Sequence, residues 1–442
     1  MNLRKHIYFT LNTLRGFRYP QIYRDLIKEE KSVLTSEVTQ KLLTKILRHC
    51  QKSVPYYTNL MSEIGKEELL KQNPEIYLSK LPILTKDIIR KNFEELKSLD
   101  LEKRNWYFNT SGGSTGEPIR FIQDQEYFDQ SQAIKLLYSY LAGREIGEPQ
   151  VKLWGSERDI LEATRNWRAI FSSFFSNTTY INAYQMSPQR MAAYIRLINQ
   201  KSPKQILAYA IAIYELAKFA ESEQLQITPP NAIITSAENL HPWMRETIER
   251  VFQCQVFNRY GSREVGDIAC ERPGFEGFWI APWANYVEIV DDHNNPLPPG
   301  VEGNILITSL SNFAMPLIRY KIGDRGSVSA NHSSGQIFEK ISGRTTDMFK
   351  TQDGTLANGG YFEGLMYFKD WVKNYQIIQK SYSEILVKIV LFTPNYPVAD
   401  LDDFVEKTKI LMGEDCIVNF EFVDEIKTTP SGKYRYVISE VS

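Results

Sequence analysis

Cysteine is scarce: only Cys50, Cys254, Cys270 and Cys416 occur in 442 residues, and no two form a CxxC pair. That spacing disfavours a zinc ribbon or a dithiol redox motif and suits reduced, mostly buried thiols in a cytoplasmic protein. The five histidines form no coherent metal set, and a zinc site drawn from His241, Cys254 and Cys270 is not expected. There is no apolar run near the ~18 residues that a membrane-spanning helix needs. The longest uncharged apolar-aromatic stretch is Ile206 to Tyr214. An excess of one charge is also missing. Lys plus Arg is 52 and Asp plus Glu is 53, a net charge of −1. Broad electrostatic binding to nucleic acid is therefore not expected. With 43% hydrophobic and 24% charged residues the chain is an ordinary globular one, long enough for two or three domains with sizeable cores.

The N-terminal segment is locally basic. Its first 20 residues hold four Lys/Arg and no acid, with Leu3, Ile7, Leu11 and Leu14 at helical spacing. The apolar positions are interrupted and no small-residue cleavage site follows, which disfavours a signal peptide. The pattern predicts a first helix docked on the fold, with a helix lying on a membrane surface as the alternative.

Residues 21–100 read as charged helices. Val38, Leu42, Leu43, Ile46 and Leu47 make one stripe, Val54-Pro55-Tyr56-Tyr57 breaks it, and Thr85 is placed to cap the helix that follows. Residues 105–122 read as two strands joined by TSGGSTGEP, a hairpin. From 125 to 260 helical and strand-like segments alternate, which predicts an α/β layered domain. PQRMAAYIRLINQ, LAYAIAIYELAKFA and HPWMRETIERVF read as helices, and AIIT and CQVFNRY as strands. Residues 278–328 are strand-rich. From about 345 a shorter alternation predicts a small α+β domain.

Five segments carry chemistry. In Thr110-Ser111-Gly112-Gly113-Ser114-Thr115-Gly116 the glycines let backbone N–H groups approach an anion and the hydroxyls add donors. It is not a Walker loop, because no Lys follows Gly116. Tyr260-Gly261-Ser262-Arg263-Glu264 follows a strand. Its Tyr is able to stack on a base and its carboxylate to hold Mg²⁺. Asp324, after Gly323, has the acceptors for two ribose hydroxyls. Arg344 can reach a ribose or phosphate oxygen, and Lys433 is a long-reach point charge on a glycine turn. Taken singly, each is better read as an ordinary loop or surface turn.

Together, in this order, the five resemble the adenylate-forming superfamily over nearly the whole chain. SVPYYTNLM, LPILTKDIIR, NTSGGSTGEP and SAENLHPWMRETIERVF resemble its phenylacetate–CoA ligase branch, especially CapK-like members linked to surface polysaccharide synthesis. The resemblance implies an acyl-CoA synthetase-like N-terminal domain over residues 1–344 and a mobile lid over 345–442. It implies ATP as substrate, Mg²⁺ on Glu264 and CoA as a possible acceptor. Thr110 to Gly116 would close over phosphates, and Ser236, Ala237, Glu238 and Asn239 would face the adenine. Tyr260, Gly261 and Ser262 would follow the base, Asp324 and Arg344 would contact the ribose side, and Lys433 would bridge the carboxylate and the α-phosphate. The hinge would lie near Arg344 to Asp347, with Gly354, Gly359 and Gly360 along a thiol channel. Tyr184, Tyr209, Ala212 and Tyr214 are expected pocket-wall residues, although a place in the helical core suits them equally.

Three positions depart from the pattern: Glu117 where relatives place Lys, Arg263 where many place Thr, and Thr346 at an acidic hinge position. The expected reaction is acid plus ATP to acyl-AMP and pyrophosphate, then transfer to the thiol of CoA or a carrier protein. Transfer to an amine, and nucleotide binding without turnover, remain open.

Overall fold

The protein is described from a computed structural model over residues 2–30, 35–64, 67–111, 119–154, 167–183, 186, 188–237, 240–329, 335–344, 348–352, 356–366, 369, 371–393, 395–426 and 436–441. Among the described residues seven helices open the chain: α1 Leu3–Leu14, α2 Tyr19–Glu29, α3 Thr35–Ser53, α4 Pro55–Ile64, α5 Glu67–Gln72, α6 Pro74–Leu78 and α7 Lys86–Lys91. In α3 the predicted stripe is the buried face, with Leu43, Ile46, Leu47 and Cys50 sealed from solvent. The break expected at Val54-Pro55 is a kink between two helices, not a loop. Proline has no N–H to lose at a first helical position, so α4 restarts there at once. Thr85 caps α7, its Oγ1 accepting from the Ile88 N–H at 3.3 Å.

The predicted hairpin is β1 (Trp106–Thr110) with β2 (Arg120–Asp124), antiparallel, Thr110 opposite Arg120. Asp124 then caps α8 (Gln125–Leu141) through the Tyr127 N–H at 2.9 Å. The alternation continues as β3 Gln150–Trp154, α9 Trp167–Ser176, β4 Thr178–Asn182, α10 Pro188–Lys201, β5 Gln205–Tyr209, α11 Ala210–Ser222, β6 Ala232–Ser236, α12 Pro242–Phe252, β7 Gln255–Ser262 and β8 Gly266–Cys270. One predicted helix divides. Leu207-Ala208-Tyr209 belongs to β5 and only Ala210 onward is helical. A continuous apolar run bears no period that separates a buried strand from the helix after it.

Then come β9 Phe278–Ile280, β10 Asn285–Val290, β11 Gly303–Ser309, β12 Tyr320–Val328 and β13 Ile337–Arg344. These join the earlier strands in one sheet of eleven, ordered β10-β11-β12-β13-β9-β8-β7-β6-β5-β3-β4. Strands β7, β6, β5, β3 and β4 run parallel and the others antiparallel. The layered α/β expectation holds.

The last part is β14 Met348–Lys350, β15 Leu356–Asn358, α13 Gly359–Met366, β16 Val372–Ser381, β17 Glu384–Leu391, α14 Val398–Met412, β18 Ile417–Phe422 and β19 Val437–Ser439. Its four-stranded sheet runs β18-β17-β16-β19. Phe349, Phe362, Ile377, Val387 and Phe404 form its own core.

The opening helices are fixed to the large sheet by polar pins. Tyr57 donates its hydroxyl to the Pro316 carbonyl at 3.1 Å and accepts from the Ile318 N–H at 3.2 Å. His49 Nε2 meets the Phe313 carbonyl at 2.9 Å and Ser98 Oγ at 3.1 Å. Burial holds the His49 pKa below its usual 6.5, opposed by the Phe313 carbonyl, with Arg104 lowering it and Asp100 and Asp124 raising it. The imidazole is thus neutral when folded, while the unfolded chain takes up a proton below about pH 6.5. Stability therefore falls as pH drops through that value. The slope stays under the single-proton ceiling of about 1.4 kcal/mol per pH unit. Chemical denaturation between pH 7.5 and 5.5 should show it, and His49→Gln should flatten the dependence. An unchanged slope in that variant would reject the assignment.

Candidate active site

Four of the five motifs, the glycine-loop hairpin, the Tyr260–Glu264 turn, Asp324 and Arg344, lie on linked or neighbouring strands. Strands β6 and β7 place Ser236 beside Arg259. Directly after Ser236 the backbone of Ala237 turns into the left-handed region at φ +73°. A non-glycine residue held there costs of order 1–3 kcal/mol, a strain often found at functional turns. Glu238 and Asn239 lie outside the described residues.

The turn from β7 to β8 carries the second motif. Gly261 is required there, because a Cβ would stand 2.7 Å from the Gly266 carbonyl oxygen. Ser262 Oγ accepts from the Val265 N–H at 3.4 Å. The Tyr260 hydroxyl donates to Asp324 Oδ2 at 2.5 Å, joining positions 64 residues apart. Phe338 meets the Tyr260 ring edge-on, with centroids 5.8 Å apart. Asp324 is opposite Arg344 in the β12–β13 register, so the ribose-side candidates sit on neighbouring strands.

Glu264 is 7% exposed and accepts from the Tyr320 hydroxyl at 3.3 Å. Gln123 of β2 reaches this turn, donating to the carbonyls of Arg263 at 2.9 Å and Glu264 at 3.3 Å. The hairpin that carries the glycine loop is thereby tied to the Glu264 turn. At the loop's base the Ser111 N–H donates to the Ile119 carbonyl at 2.9 Å. The Ile119 N–H donates to Ser111 Oγ, also at 2.9 Å. Thr110 closes the hairpin, and Gly112 to Gly116 lie outside the described residues, as do Tyr184 and Lys433.

The expected pocket-wall residues separate. Ala212 and Tyr214 are buried in the core that α11 makes with the sheet. Tyr209 instead packs against Trp154, with ring centroids 4.3 Å apart and the planes tilted by 38°. Trp154, Tyr209 and Ser236 end β3, β5 and β6, and Arg259 stands within β7, with Tyr209 opposite Ser236 and Ser236 opposite Arg259. Open α/β sheets bind ligands at this carboxyl edge. Sequence reasoning named no cation for an acid-binding subsite, yet Arg259 stands in this row. Its Nη1 lies 3.3 Å from Asp267 Oδ2 and its Nε 3.4 Å from Ser236 Oγ. Its place directly before Tyr260, in a strand ending at the second motif, was the available signal.

Among the described residues no group of three His, Cys, Asp or Glu could hold a metal. Burial pushes the Cys254 thiol up to about 12. A substrate-borne Mg²⁺ needs only one or two protein carboxylates, the rest of its shell being phosphate and water. The single fixed carboxylate of Glu264 fits that use.

A family model described as the CapK C-terminal domain matches residues 349–440. Protein CapK of Staphylococcus aureus is 25% identical over 440 aligned residues, covering 96% of this chain and 94% of that protein. The chain is thus similar to CapK along nearly its whole length. A phenylacetate-coenzyme A ligase of Escherichia coli is 23% identical to this CapK-like chain, over 75% of it and 76% of the ligase. Among solved structures, a 2-hydroxyisobutyryl-CoA ligase in the postadenylation state superposes with a TM-score of 0.68 at 16% identity, covering 91% and 89% of the two chains. An amide bond synthetase from Marinactinospora thermotolerans gives 0.52 at 14% identity, covering 74% and 66%. These structures share the fold with the CapK-like chain, and no helix among its described residues is long and apolar enough to cross a membrane.

Proposed function

We propose that this protein activates a carboxylic acid with ATP and passes the acyl group to the thiol of CoA or a carrier protein. The observation that carries the reading is the joining of distant motifs by direct hydrogen bonds, Gln123 to the Arg263–Glu264 turn and Tyr260 to Asp324. Relatives that are CoA ligases support it.

In the first step an acid oxygen attacks the α-phosphorus, the O–P bond forms, and the bond to pyrophosphate breaks. Attacker and target are both anionic, so placed positive charge is the main requirement. Mg²⁺ held by Glu264 would neutralise phosphate charge. Lys433 is assigned to the carboxylate and α-phosphate, Asp324 and Arg344 to the ribose side, and Thr110 to Gly116 to the phosphates. Ser236 to Asn239, with Tyr260, Gly261 and Ser262, frame the base. The acid's tail is assigned to the row Trp154, Tyr209 and Arg259, whose adjoining rings suit an apolar group. In the second step a thiol loses its proton and attacks the acyl carbon, the C–S bond forms, and AMP leaves. We place the boundary between the adenylating domain, 1–344, and the lid, 345–442, so that Lys433 arrives from the lid for the first step and leaves for the second.

The test is a panel of acids scored by acid-dependent pyrophosphate release, with products identified by mass spectrometry in the presence of CoA or amines. Release with at least one acid, and a thioester product, is expected. Lys433→Ala should lower release by about 10²–10³-fold. Full release in that variant would reject the lysine's role. Amide without thioester would assign the second step to an amine, and ATP binding with no acid-dependent release would make the protein a binding module.

A further inference from the structure

The N-terminal helix is docked by the face opposite its apolar stripe. Phe9 is buried and lies 5.5 Å from the Tyr23 ring, and Asn12 is buried beside it in the helix. Lys5 pairs with Glu145 at 2.7 Å, and Asn2 donates to the Ile146 carbonyl at 2.9 Å. At about 100° per residue, Leu3, Ile7 and Leu14 fall within about 40° of one another, some ~140–160° from Phe9 and Asn12. Leu3 is 62% exposed and Leu14 79% exposed. On neighbouring α9, Phe174 is 60% exposed with the Arg4 guanidinium 5.0 Å above its ring. Two of the four stripe residues, Leu3 and Leu14, are thus left outside, Ile7 and Leu11 are half-buried, and an exposed phenylalanine stands next to them.

Charge selects the occupant. Residues 2–20 carry Arg4, Lys5, Arg15 and Arg18 and no acid, although the chain's net charge is −1. Arg15 and Arg18 are exposed. The nearby Glu145 is already paired with Lys5. An apolar stripe flanked by Lys and Arg suits the boundary between anionic head groups and acyl chains. A second copy is disfavoured, since a two-fold contact through this face would set Arg4 and Arg15 against their own equivalents.

We propose that α1, with Phe174 beside it, is a peripheral docking surface for an anionic lipid bilayer. This stands independently of the catalytic reading. The test is co-sedimentation of the full chain with phosphatidylcholine vesicles, with and without phosphatidylglycerol. Binding should favour the anionic vesicles by about tenfold and weaken with added salt. The pair Leu3→Ser and Leu14→Glu should reduce it by about tenfold or more. The pair Arg15→Glu and Arg18→Glu should abolish the preference for anionic vesicles. These side chains are exposed, so melting temperatures should stay near wild type. No vesicle binding, or binding indifferent to both pairs, would overturn the proposal. A lipid-free dimer in sedimentation velocity, dissolved by Leu14→Glu, would also overturn it by giving the face to a second copy.

Discussion

Glu264→Gln is expected to lower acid-dependent pyrophosphate release by about 10²–10³-fold with little loss of stability. The amide is nearly isosteric and still accepts from the Tyr320 hydroxyl that bonds the wild-type carboxylate at 3.3 Å. What disappears is a negative charge held in a buried turn, the property a phosphate-bound cation would use. Tyr320→Phe makes the complementary change, keeping the charge and removing one donor. Its effect should stay near one hydrogen bond, about 0.5–1.5 kcal/mol. Steady-state release with the best acid of the panel, alongside thermal melts, separates the two. If Glu264→Gln kept activity within about threefold of wild type, an electrostatic role of the expected size would be untenable.

The second large effect concerns stability. Arg319→Leu should destabilise the protein by about 3–5 kcal/mol, the usual result of removing one partner of a buried ion pair. Arg319 is buried, and its Nε lies 3.1 and 3.2 Å from the two Glu288 carboxylate oxygens. Its Nη1 donates to the carbonyls of Ser79 at 3.1 Å and Leu81 at 2.5 Å. One side chain therefore ties the LPILTK segment to the start of β12, where the Leu84 and Lys321 backbones also exchange hydrogen bonds with the Arg319 carbonyl and Leu84 carbonyl respectively. Burial already pushes the Glu288 carboxyl up, with Arg319 opposing that rise. Left alone, Glu288 would be an uncompensated buried acid. Denaturant titration measures the loss, and the double variant Arg319→Leu with Glu288→Leu should recover part of it. A single-variant loss below about 1 kcal/mol would mean that the pair is not the anchor.

Much of the fold was legible because its periods are clean. The α3 stripe, the Thr85 cap and the β1–β2 hairpin are written in residues close together in the chain. The helix read over Leu207 to Tyr209 was a strand because burial on both faces erases the alternation that marks a half-buried one. The stripe of α1 was legible as a stripe, but not the direction it faces. That is set by Phe9 packing on Tyr23 and by Lys5 reaching Glu145, partners distant in sequence.

For the site, residue types and order were sufficient to name Glu264, Tyr260 and Asp324 as candidates, since each chemistry requires a particular side chain after a particular turn. The hydrogen bond between Tyr260 and Asp324, the hold of Gln123 on the Glu264 turn and the row from Trp154 to Arg259 came only with the tertiary structure. The reason is physical. A motif is local and its glycines and carboxylates are visible in the chain. A site is made by strand register, and here one sheet of eleven strands decides which chain-distant side chains end side by side.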